Sequence, residues 1–212
     1  MLWKGGGGVK LSEMMVSIKI VGIIEAGTCS SGLGGGAGRR YVTERKQETA
    51  MSLLPAHLPQ TSEAAFAYIG TIDTPSIDDL KLMVCLEASG QSFYRALAAG
   101  APSKEIGDLL NANGREEMAH AKRLQKAIRI LTGETFEIPA PSANPYDTAP
   151  ATLPVDGALL DTMAKGEFGG ELMYEGWAAR IGNDEVAALL RQNGKEERRH
   201  GERAEQAKAL LG

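Results

Sequence analysis

The sequence predicts an all-α fold, a four-helix bundle built from two copies of one helix hairpin joined by a long extended connection. Three observations predict it. The chain repeats itself at an offset of 80 positions, apolar residues recur at helical spacing, and a proline-rich stretch separates the copies. A length of 212 residues is enough for one domain with a substantial core. The formal net charge of −4, with no basic stripe, argues against a nucleic-acid surface. Two cysteines, Cys29 and Cys85, cannot form a disulfide framework or a four-thiolate metal site, and a reducing, cytoplasmic setting is expected.

The first 60 residues read as a leader. Gly5 to Gly8 and Gly32 to Gly38 are glycine-rich, and such segments bury too little surface to offset their ordering entropy. Met51 is the alternative start of the natural protein. The apolar run Met14 to Ile24 carries Lys19 and is too short to span a membrane. Ala26, Gly27 and Thr28 before Cys29 match a signal cleavage site only loosely, so neither secretion nor membrane insertion is expected.

The bundle is expected over residues 72–212. Thr74 and Pro75 read as the N-cap and first turn of the first helix. Leu80, Met83, Gly90 and Leu97 set its period, and Gly100 and Pro102 end it. Ser103 opens a second helix running to about Leu131, before Thr132-Gly133. Pro139, Pro141, Pro145, Pro150 and Pro154 exclude a helix or central strand from the next stretch. A third helix is expected from about Val155 to Arg180, stopped near Gly182, and Asn183 caps a fourth. Two tight turns and one long crossover result.

The repeat carries the chemistry. Glu87 falls on Glu167, Gly90 on Gly170, Tyr94 on Tyr174, Asn113-Gly114 on Asn193-Gly194, Glu116-Glu117 on Glu196-Glu197 and His120 on His200. A structural duplication needs only its apolar stripe to persist, so repeated polar residues ask for a chemical reason. Glu117 and His120 are three apart and share a helix face, as do Glu197 and His200. Glu87 and Glu167 share the phase of apolar stripes and should point inward. Four inward carboxylates repel one another, and two divalent cations cancel their charge. The two imidazoles complete the ligand set.

This constellation resembles the ferritin-like di-iron carboxylate proteins, and within them the rubrerythrin type. The matching stretches are Leu86-Glu87-Ala88, Arg115-Glu116-Glu117-Met118-Ala119-His120 and Lys195-Glu196-Glu197-Arg198-Arg199-His200. The resemblance implies a ferritin-like four-helix bundle with Glu87, Glu117, His120, Glu167, Glu197 and His200 as metal ligands, Glu117 and Glu197 bridging. It implies two iron ions, Fe2+ or Fe3+, with manganese or a mixed pair as the alternative. It further implies reduction of hydrogen peroxide or O2, and by analogy a homodimer. Rubrerythrins usually carry a small iron domain with two Cys-x-x-Cys pairs. This sequence has none, so a separate electron donor is expected. The rival functions are iron binding or storage without catalysis, and hydroxylation of an organic substrate in a pocket beside Gly90 and Gly170.

Other residues have two readings each. Tyr94 and Tyr174 read either as core tyrosines or as hydrogen-bond donors to ligand carboxylates. Glu171, whose counterpart is Gln91, is a candidate extra ligand. Asn113-Gly114 and Asn193-Gly194 suggest either a π-bulge or close packing within a helix. Glu116 and Glu196 are expected to face solvent or a neighbouring helix. Cys85 reads as a small buried hydrophobe, and His57 is given no role.

Overall fold

The computed structural model describes residues 53–212. The expected start at Met51, Cys29, the Met14 to Ile24 run and most of the leader lie outside the described residues. Five α-helices are present among those described: α1 (Ser62–Ile69), α2 (Ile77–Gly100), α3 (Lys104–Thr132), α4 (Gly157–Arg180) and α5 (Asp184–Ala209). A single 3-10 turn, Pro141–Ala143, interrupts the crossover. No described helix is long and apolar enough to cross a membrane.

Helix α2 packs along α3, and α4 along α5; the two hairpins meet through α3 and α5. Helices α2 and α4 stay apart, with no Cα pair within 8 Å. Leu80, Leu82, Leu124, Ile128, Trp177 and Leu190 belong to one apolar cluster. Leu97, Ile106, Leu110, Leu160 and Met163 belong to a second. Along α2, Glu87 comes after the first cluster's Met83 and before the second's Tyr94 and Leu97. A polar centre thus sits between two dry ends, as in a bundle built around a metal site.

The helix boundaries follow local chemistry. Ser103 and Asn183 cap α3 and α5 as the sequence predicts, their side chains accepting from the Ile106 and Val186 amides. Gly133 and Gly182 take left-handed φ values of 79° and 70°, which only glycine adopts at little cost. The start of α2 differs from the expectation. Ser76, not Thr74, is its N-cap, in a reciprocal capping box with Asp79. The box satisfies two orphan amides at once, more than Thr74 could satisfy. Helix α4 likewise begins after Asp156, whose carboxylate accepts from the Leu159 amide at 2.8 Å.

Helix α1 was not anticipated from the sequence. It is only 8 residues long, and Ala65 and Ile69 are its buried positions. Tertiary contacts hold this region. Tyr68 donates to Asp79 at 2.7 Å, and Trp177 Nε1 donates to the Ile72 carbonyl at 2.8 Å. Leu54 and Leu58 are also buried, so the last residues of the 1–60 stretch pack with the bundle. The crossover runs beside α2: Asn144 donates to the Cys85 carbonyl, Ser92 to Asp147, and the Leu153 amide to the Ala96 carbonyl.

Candidate metal centre

Helices α3 and α5 bring Glu117, His120, Glu197 and His200 together, all buried, with ligand atoms within 4.8 Å of one another. Helices α2 and α4 add Glu87 and Glu167. His120 Nδ1 lies 3.3 Å from Glu87 Oε2 and 3.3 Å from Glu197 Oε1. His200 Nδ1 lies 3.1 Å from Glu117 Oε1, 3.5 Å from Glu197 Oε2 and 3.6 Å from Glu167 Oε2. The rings stack, their centroids 5.1 Å apart and their planes inclined by 19°. All six residues expected to converge therefore do so. Glu171, the candidate extra ligand, is ion-paired: its Oε1 accepts from Arg198 Nε at 2.8 Å.

The two tyrosines cross the gap between α2 and α4. Tyr94 donates to Glu167 Oε1, and Tyr174 donates to Glu87 Oε1. Each hairpin thus holds a carboxylate of the other. The glycines make room. A Cβ on Gly90 would lie 2.7 Å from Glu117 Oε2, and one on Gly170 would lie 3.3 Å from Glu197 Cδ. Gly114 and Gly194 answer the question about a π-bulge. Both sit in continuous α-helix, where a Cβ would lie 3.0 Å from Tyr94 Cβ and 3.2 Å from Tyr174 Cβ. Close packing, not a bulge, requires them.

This geometry agrees with the comparison of sequences. The family model for rubrerythrin matches residues 80–208, more than half of the chain. The chain belongs to the rubrerythrin family. No curated protein and no solved structure matches it significantly.

The family implies a dinuclear metal site, and the residues present fit one. His200 Nδ1 is a buried nitrogen without a hydrogen-bond partner, yet three carboxylates surround it. A cation among them satisfies both the nitrogen and the acids. The donor set, four carboxylates and two imidazoles, suits a pair of divalent transition-metal ions.

The electrostatics of the six residues favour a cation as well. Burial disfavours the imidazolium forms, but Glu197 and Glu87 outweigh it at His120, raising its pKa well above the usual range. At His200, Glu116, Glu117, Glu167 and Glu197 do likewise. Burial and then Glu197 push Glu167 up to about 7. Burial and then Glu87 raise Glu117. Glu197, although buried, is held low by His120. The carboxylates thus favour positive charge at the centre.

Sequence reasoning missed the outer partners. Glu116 and Glu196 do meet a neighbouring helix, but Glu196 is buried rather than solvent-facing. Each lies 3.1 Å from the Nε2 of the opposite histidine, Glu116 at His200 and Glu196 at His120. Arg203 and Arg123 clamp these acids. The same 80-position offset places Arg123 on Arg203, a signal the sequence did contain.

Proposed function

We propose that this rubrerythrin-family protein is a di-iron oxidoreductase that reduces hydrogen peroxide or O2, re-reduced by a separate electron donor. A bound pair of ferrous ions would supply one electron each, so that peroxide and two protons leave as two waters. Glu87, Glu117, His120, Glu167, Glu197 and His200 would hold the ions. The observation that carries this reading is the convergence of these six side chains, with carboxylates gathered around the Nδ1 atoms of both buried histidines.

The chain's own groups have defined tasks. Tyr94 and Tyr174 keep their phenolic protons, because burial and then Glu167 or Glu87 raise their pKa well above the usual value. As donors they orient Glu167 and Glu87 and stand ready to pass a proton inward. The dry clusters on either side restrict water at the reacting centre. The space over Gly90 and Gly170 is taken up by Glu117 and Glu197, which supports a small oxidant over an organic substrate in that position.

The test is an anaerobic titration. Metal-stripped protein is loaded with Fe(II), iron per chain is counted, and H2O2 is added while the ferric absorption is followed. Two irons per chain, oxidised rapidly by one equivalent of peroxide, are expected. Slow oxidation with many irons retained per chain would instead indicate storage.

A further inference from the structure

We propose that Glu116 and Glu196 are positioning residues, each fixing the histidine of the opposite hairpin so that its Nδ1 faces the carboxylate centre. The proposal rests on the metal-binding reading of that centre, and not on peroxide reduction.

Each imidazole has two nitrogens with different surroundings. The Nδ1 atoms face Glu87 and Glu197, or Glu117, Glu167 and Glu197. The Nε2 atoms face away, 3.1 Å from Glu196 Oε2 or Glu116 Oε2. A carboxylate can only accept, so Nε2–H must donate. Each acid is also ion-paired with an arginine, Glu116 with Arg203 and Glu196 with Arg123, which favours its carboxylate form. With Nε2 committed as a donor, Nδ1 is left to offer its lone pair to a metal.

The acids are in turn fixed. Arg203 reaches both oxygens of Glu116, at 2.9 and 3.1 Å. Arg123 binds Glu196, which also accepts from Gln192 Nε2 at 2.6 Å. The same arginines hold the asparagines: Arg203 donates to Asn113 Oδ1 at 3.0 Å and Arg123 Nε to Asn193 Oδ1 at 2.6 Å. Asn113 Nδ2 then donates to the His200 carbonyl at 3.2 Å, and Asn193 Nδ2 to that of His120 at 3.5 Å. Backbone and ring of each histidine are therefore gripped from the other hairpin. This gives the repeated Asn-Gly-x-Glu-Glu stretch a single purpose. The glycine admits the tyrosine, the asparagine and first glutamate reach across, and the second glutamate faces the centre.

The crosswise pairing makes a prediction that a merely structural role does not. Glu116 lies on the same helix as His120, yet its replacement should disturb His200. Full-length metal-stripped protein would be loaded with zinc, a diamagnetic probe, and its affinity measured by chelator competition. The Nε2–H resonances of the two ligand histidines would be followed by NMR. E116L is expected to weaken zinc binding by about 10- to 100-fold and to abolish the protected Nε2–H signal of His200 while sparing that of His120. E196L should do the reverse. E116Q and E196Q, which retain an acceptor oxygen, should fall between wild type and leucine, and they serve if a leucine variant fails to fold. Unchanged affinity and unchanged signals in folded variants would overturn the proposal. Failure of the wild type to bind zinc would overturn it together with the metal-binding reading, a distinguishable result.

Discussion

The hairpin α2–α3 and the hairpin α4–α5 present the same side chains to the centre but bury them differently. Glu87 is 3% exposed, whereas its counterpart Glu167 is 17% exposed. Tyr174, which holds Glu87, lies in the larger apolar cluster with Trp177. Tyr94, which holds Glu167, lies in the smaller one. Ala88 and Ala121 in the first hairpin correspond to Phe168 and Gly201 in the second, where the phenyl ring lies over the glycine. The repeat therefore preserves the chemistry and relaxes the enclosure. The end near Glu167 is the more open of the two.

The largest test of this comparison removes a ligand from each half. H120A and H200A should each lower bound metal from two to one or fewer per chain, measured by elemental analysis. Two metals in either variant would break the equivalence of the halves. Stripping the metal from the wild type should lower the melting temperature by roughly 10 °C. This assumes a ligand excess worth about 4 kcal/mol and about 2–4 °C per kcal/mol for a domain of this size. Calorimetry before and after chelation measures it.

The tyrosines separate the halves more finely. Y174F leaves a nearly inaccessible carboxylate without its donor and should cost about 1–3 kcal/mol. Y94F should cost less, because water can reach Glu167. Equal losses in denaturant melts would mean that the difference in exposure has no energetic weight. G90A should weaken metal binding by displacing Glu117, at a cost of about 1–3 kcal/mol. G170A, with its looser contact, should be close to neutral once the helix preference for alanine is included. The smallest effect is expected at Glu171: E171A should leave metal stoichiometry unchanged, since that acid is paired with Arg198.

Much of this was legible in the sequence. The repeat located both hairpins, and glycine and asparagine marked the helix ends at Gly133, Gly182 and Asn183. Periods of three and seven residues put glutamate, histidine and tyrosine on shared faces. Other features were not legible. Thr74-Pro75 looked like a helix start because local propensity says nothing of the capping box two residues later. Helix α1 was missed because so short a helix is marginal without its packing partners. Glu116 and Glu196 were placed only by helix phase, which cannot say what the facing helix offers.

The amino-acid order by itself determined which residues recur, at what spacing, and therefore that a charged centre must exist inside two hairpins. The tertiary structure alone decided that the tyrosine and outer-glutamate contacts cross between them, from Tyr94 to Glu167 and from Glu116 to His200. Spacing along a helix fixes a direction for each side chain, but only the packing of a second helix supplies the partner it meets.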